Sequence, residues 1–236
     1  MNNRDNAAVI GLANGELSLD DTFRFHCQMC GKCCINREDI LLNPQDLYRL
    51  AQAMGKPPIE IFTEYCEAYW GNTSGMVIVR LRPIGSDKHC PLLAAGRCSV
   101  HQSKPTVCAL FPLGRGIMMP SDRMEDLSTA KPRYFLQGVT CGDRSEVHTV
   151  RDWIESFGLS AEDRFFVLWS KTAMNYGSLV KQLKDRMSSE VMQLLFAAIL
   201  GGIYLNYEIG VPFQAQFERN DNAFRRMMKD VGIRMA

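Results

Sequence analysis

The sequence predicts an α+β protein, in which a loop-rich cysteine cluster domain with short strands and helices is followed by a C-terminal α-helical bundle. Three observations predict it. Eight of the nine cysteines fall in irregular, Gly- and Pro-bounded stretches between residues 27 and 141. The β-branched run Met76 to Leu81 reads as a strand leading into the second cysteine group. Beyond Ser160 apolar residues recur at helical spacing and no cysteine occurs. The expected organisation is a leader over 1–22, a metal-binding cysteine-rich domain over 23–157 and an α-helical lobe over 158–236.

The elements follow in order. Residues 1–22 carry little more than one short strand. Asn43-Pro44-Gln45-Asp46 supplies an N-cap, a Pro at the first helical position and an acid in the first turn. The apolar stripe of that helix is Leu47, Leu50, Ala51 and Met54, and Gly55 ends it. A second helix starts after Pro57-Pro58 and is expected to reach Trp70, with Ile59, Phe62, Cys66 and Tyr69 on one face. Gly71 to Gly75 make a turn. Pro105 opens a short helical turn carrying Cys108, and Pro112 closes it. Residues 115–119 and 133–137 read as strands around an irregular loop. Thr149 and Asp152 have the spacing of an acidic capping box. Three helices are expected near 161–187, 189–208 and 213–230, with Gly177, Gly201 and Gly202 weakening their continuity.

Composition narrows the class. Apolar residues make up 46% of the chain, enough for a proper core without disulfides. The start, MNNRDNAAVIGLANGELSLDD, has neither a basic end nor an apolar core, so no export signal is expected and the location is cytoplasmic. In that compartment thiols stay reduced, and cysteine clusters serve metals or catalysis instead. The net charge of +1 gives no footprint for nucleic acid. The longest apolar run, Leu194 to Leu205, falls well short of the roughly 20 residues of a membrane span.

Chemistry concentrates in CQMCGKCC, residues 27–34. Two CxxC steps share Cys30, and Cys33 is followed directly by Cys34. Each step sets two sulfurs on one tight turn, which suits a metal or an iron–sulfur cluster. Cys90 and Cys98 frame CPLLAAGRC, Cys108 closes SVHQSKPTVC, and Cys141 lies in GVTCGDR. The expected ligands are Cys27, Cys30, Cys33, Cys34, Cys90, Cys98, Cys108 and Cys141. Eight thiols permit two four-ligand centres, or one centre with thiols to spare. In extended backbone Cys33 and Cys34 would point to opposite sides and could serve different centres. Cys66 lies in helical register and is expected to be a core thiol. All four histidines lie near cluster cysteines. His101 is the best alternative ligand among them, although supporting or surface roles suffice for each.

These residues resemble the bacterial CxxCxxCC cysteine-cluster family, described as chelating zinc or iron. The resemblance runs through Phe25-His26-CQMCGKCC, Cys90-Pro91-Leu92-Leu93, Gly96-Arg97-Cys98-Ser99-Val100, Lys104-Pro105-Thr106-Val107-Cys108 and Phe111-Pro112, and covers about residues 23–157. Many relatives carry Arg-Pro where this chain has Lys104-Pro105, and an aromatic near His101. Lys104 and His101 are thus read as supporting positions around the ligands. A larger relative, flagellin lysine N-methylase, contains a similar cysteine domain. This chain shows no glycine-rich methyl-donor loop, and the Gly114-Arg115-Gly116 stretch is too short a signal.

The fused loop favours iron–sulfur, one or two clusters of the [4Fe-4S] type, because structural zinc usually comes from two separated CxxC knuckles. The function expected is electron transfer or an accessory role to a partner enzyme, the partner docking through the C-terminal lobe. A structural zinc interaction module is the alternative, and a metal-dependent, methylase-like enzyme of unknown substrate is the second. No HExxH, nucleophile elbow or P-loop competes. No catalytic residue is named.

Overall fold

The computed structural model describes residues 15–117, 130–139 and 141–233. In chain order the elements are β1 (Thr22–His26), a 3₁₀ turn (Lys32–Cys34), β2 (Leu41–Leu42), α1 (Pro44–Met54), α2 (Pro58–Tyr65), β3 (Cys66–Trp70) and β4 (Val77–Leu81). Then come β5 (Leu93–Ala94), β6 (Arg97–Cys98), a 3₁₀ turn (His101–Ser103), α3 (Thr106–Leu110), β7 (Leu113–Ile117), β8 (Pro132–Leu136) and β9 (Asp143–Thr149). The chain ends in α4 (Val150–Glu155), α5 (Arg164–Lys184), α6 (Ser189–Ile199), a π-helical stretch (Leu200–Leu205) and α7 (Phe213–Asp230). The architecture is α+β with short antiparallel strands and a helical C-terminal region, as the sequence predicts.

Two compact units divide the chain, and each is discontinuous in sequence. One comprises 1–35 with 93–168, the other 36–92 with 169–236.

In the first unit β1 pairs antiparallel with β9, β5 with β6, and β7 with β8. The alternation in Thr22–His26 turns Phe23 and Phe25 inward and leaves Thr22 and Arg24 exposed. Phe23 and Phe25 meet Trp153 of α4 edge-to-face, at 5.8 and 5.7 Å between ring centres. The Trp153 indole Nε1 donates to the Leu110 carbonyl at 3.2 Å, so its one polar group is satisfied in the core. Leu113, Tyr134, Ile154 and Phe157 complete this core, and Cys27 packs against its edge. Thr149 caps α4 by accepting from the Asp152 amide at 3.0 Å.

In the second unit the sheet order is β2-β4-β3. Helix α1 opens with a full capping box, in which Asn43 Oδ1 accepts from the Asp46 amide and Asp46 answers to the Asn43 amide. Leu47, Leu50 and Ala51 are buried, as its stripe requires. Helix α5 runs through Gly177 without a break, whereas Gly201 and Gly202 fall within the π-helical stretch. There Tyr204 is buried and donates to the Val77 carbonyl at 2.8 Å. The side chains of Gln216 and Asn220 on α7 satisfy backbone groups at Glu208, Val211 and Asn206.

Two expectations need correction. Helix α2 stops at Tyr65, and residues 66–70 form a strand whose five residues all pair with β4. The helical register of Cys66 and Tyr69 is overridden by the cross-strand partner, which pairs with every residue of CEAYW. Strand β9, seven residues long, lies where the sequence predicts no element, because its exposed, charged sequence DRSEVHT carries no apolar alternation. Of the expected 115–119 strand, residues 118 and 119 lie outside the described residues, as do 1–14 of the expected leader.

Candidate metal centre

The cysteine loop hangs from the end of β1. The β1–β9 ladder closes with His26 opposite Asp143. Cys27 is the next residue along one strand, and Cys141 stands two residues before Asp143 on the other. Between them Gly142 adopts φ +71°, and a Cβ there would lie 2.6 Å from the His26 carbonyl oxygen. Only glycine allows both the left-handed turn and that approach.

The loop then reverses at Gly31, φ +71°, which opens the 3₁₀ turn Lys32–Cys34. A Cβ on Gly31 would meet the Gly96 carbonyl oxygen at 2.9 Å. Gly96 belongs to the β5–β6 hairpin, whose two central residues, Ala95 and Gly96, both have positive φ. That is the signature of a tight primed turn. The hairpin sets Leu93 opposite Cys98. Gly31 thus brings the first cysteine loop onto the hairpin that carries Cys98.

The thiols feel one another. Burial pushes the Cys98 thiol above its ordinary range, and the Cys33 and Cys27 thiols push it further, while the Lys104 ammonium pulls the other way. Burial likewise raises Cys141, with Cys33, Cys30 and Cys27 adding to it. Cys27 and Cys33 are common to both sets. The Sγ atoms of Cys33 and Cys34 are 3.9 Å apart. This corrects the extended-backbone premise that would send them to opposite sides: the 3₁₀ turn started by Gly31 keeps them together. Cys30 is exposed, and Cys27, Cys33, Cys34, Cys98, Cys108 and Cys141 are half-buried. Cys108 sits on α3.

Cys90 belongs to the second unit and is buried. There Cys66 opens β3, 3% exposed, and burial pushes its thiol up to about 12, with Arg82 opposing and Cys90 adding. A thiol held neutral so firmly is inert.

Lys104 is 7% exposed, and its Nζ lies 4.0 Å from the centre of the Phe157 ring. His101 packs edge-on to the same ring at 5.9 Å, and burial, then Lys104, lowers its pKa. Both supporting positions therefore meet on the Phe157 ring, and the Lys104 ammonium acts on Cys98. The other histidines have protein partners. His148 Nε2 meets the Phe25 carbonyl at 2.9 Å, His89 Nδ1 meets Asp87 at 2.7 Å, and His26 Nδ1 meets Ser145 Oγ at 3.2 Å.

Among the described residues no three His, Cys, Asp or Glu side chains stand in the arrangement of a bound metal. The donor set itself fits a thiophilic ion. Cys27, Cys30, Cys33, Cys98 and Cys141 lie within electrostatic reach of Cys98 or Cys141 or are those residues, and crowded thiolates are stabilised by a cation.

Residues 26–133 match the family model CxxCxxCC, "Putative zinc- or iron-chelating domain". Over this region the chain is similar to that family. The CxxCxxCC match takes in every cysteine except Cys141, which the β1–β9 ladder returns to the loop. It supports metal binding, by zinc or iron. No curated protein and no solved structure matches the chain. Among the described residues no helix is long and apolar enough to cross a membrane.

The sequence reading missed Arg24, Arg144 and Asp143, which flank Cys141 in a cleft. The alternation in TFRFH marks Arg24 as outward-facing, but nothing local ties it to residues 136–144.

Proposed function

We propose that the cysteine-rich region 23–157 holds an iron–sulfur cluster and serves electron transfer, or supports a partner enzyme, in the cytoplasm. The observation carrying this reading is the return of Cys98 and Cys141 to the Cys27–Cys33 loop. Three thiols fused at double x2 spacing, with two more arriving from distant strands, suit the faces of a cubane better than two separate knuckles. When bound, a [4Fe-4S] cluster would accept and return single electrons. This chain's residues do the rest. The eight cysteines other than Cys66 are the proposed ligands, and their number leaves room for a second centre. Lys104 places a positive charge beside Cys98, offsetting thiolate charge, and His101 remains the alternative ligand. The aromatic core under Cys27 keeps water from one side of the loop.

The helical lobe 158–236 is the proposed docking surface for a protein partner, on Val191 and Leu194 of α6, which are 42% and 70% exposed.

Zinc is the second reading, because the family description names it beside iron. A saturated thiolate site would make the protein a structural interaction module. Purification without oxygen separates the two. Brown protein with iron and acid-labile sulfide supports the cluster, and colourless protein with stoichiometric zinc overturns it.

A further inference from the structure

A cavity of about 530 Å³ opens beside Cys141 in the first unit. Its size is that of a small-molecule site. Phe25, Pro112, Leu136 and Val139 give it an apolar wall, and Arg24, Arg144 and Asp143 line its polar side. The β1–β9 ladder explains how the arginines arrive there. Arg24 pairs with Val147 and His26 with Asp143, so the one residue between them on β1, Phe25, faces three on β9, Arg144, Ser145 and Glu146. Arg144 lies in that bulge, and bulges re-aim side chains beside functional sites.

The charges around the bulge are unevenly committed. Asp143 accepts from the Ser145 amide at 2.9 Å, from Ser145 Oγ at 2.5 Å and from Gln28 Nε2 at 2.8 Å. Glu146 lies 3.8 Å from His26 and 3.4 Å from His148. Neither Arg24 nor Arg144 forms an ion pair among the described residues. Two uncommitted guanidinium groups thus stand over an apolar wall.

We infer that this cleft binds an organic anion, a carboxylate or phosphate headgroup on an apolar body, with the headgroup on Arg24 and Arg144 and the body against Phe25, Pro112 and Leu136. Guanidinium groups favour both headgroups through paired, charge-assisted hydrogen bonds. The inference rests on the proposed metal role of Cys141 for its meaning, since the cleft then places the ligand at the edge of the metal centre.

Titration calorimetry on the metal-loaded full chain tests it, with octanoate, octyl phosphate and octylamine as probes. One or both anions should bind saturably at one site, and octylamine should not. Which anion binds tighter identifies the headgroup. Arg24→Gln and Arg144→Gln should each weaken the anion about tenfold or more, and Arg144→Lys should recover part of the loss. Metal content, measured on the same samples, should be unchanged by these exposed substitutions. Absence of saturable anion binding, equal binding of octylamine, or indifference to both substitutions overturns the inference. Protein that takes up no metal yet binds the anion through Arg24 and Arg144 overturns the metal reading alone.

Discussion

His26 and Asp143 form the last rung of the β1–β9 ladder, and Cys27 and Cys141 lie just beyond it on opposite strands. The distance of Cys141 in sequence from the first cysteine loop is therefore cancelled by two strands and one glycine. Replacing that glycine tests the arrangement. Gly142→Ala places a Cβ 2.6 Å from the His26 carbonyl at φ +71°, so stability should fall by about 1–3 kcal/mol and bound metal should fall with it. Gly138→Ala, where a Cβ meets nothing within 4 Å, is the control and should change neither. Thermal melting with metal analysis reads both.

Sequence made part of this plain. The capping box at Asn43, the strand entering at Met76 and the helices after Ser160 rest on signals within a few residues of one another. So does the CQMCGKCC loop. The convergence of Cys98 and Cys141 on that loop was not legible, because it depends on Gly31 meeting Gly96 and on a charged strand, β9, that has no apolar alternation. Cys66 shows the opposite case. Its helical register was misleading, since pairing with Leu81 made residues 66–70 a strand, yet burial still leaves it a core thiol.

Serine replacements should sort the cysteines. Each of Cys27, Cys30, Cys33, Cys34, Cys90, Cys98, Cys108 and Cys141 changed to Ser should lower the metal bound, by analysis of protein purified without oxygen. Cys66→Ser should keep its metal but lose about 1–3 kcal/mol, as a buried hydroxyl without a designed partner does. Undiminished metal in several of the eight variants would reject the ligand set.

The Cys66 thiol also predicts a pH dependence. Its ordinary value near 9.0 rises to about 12 on folding, so the folded state holds a proton that the unfolded chain releases. The associated stability is full below about pH 9 and is lost as pH climbs towards 12. The upper bound is about 4 kcal/mol, from the size of that shift. Cys66→Ala lacks this group, so its denaturant midpoint should decline less steeply than wild type between pH 9 and 11. Parallel declines would show that the thiol is not held neutral by the fold.

Chelation should loosen the two units unequally. The cysteine loop, the β5–β6 hairpin and α3 are short elements joined by turns, and their binding free energy is partly folding free energy. Hydrogen exchange should therefore rise over residues 25–35 and 93–117 when metal is removed, and change little over 169–205, where long helices bury Tyr176, Ile199, Ile203 and Tyr204. Equal protection of the cysteine region with and without metal would place its stability in the polypeptide alone.

Helix α7 and helix α6 make contrasting predictions about the C-terminal lobe. Phe213, Gln216, Phe217, Asn220, Phe224 and Met228 of α7 are all buried, so its apolar face is already covered within its own unit. Phe217→Ala should cost about 3–5 kcal/mol through the cavity it leaves, and deletion of 212–236 should collapse the second unit's cooperative transition. Leu194 on α6 is 70% exposed, and Leu194→Asp should leave the melting temperature unchanged. If a partner docks on α6, the same substitution should release it in a pulldown whose bait retains its metal. A partner retained by Leu194→Asp but lost on removing 212–236 would move the docking surface off α6 and onto the elements that α7 supports.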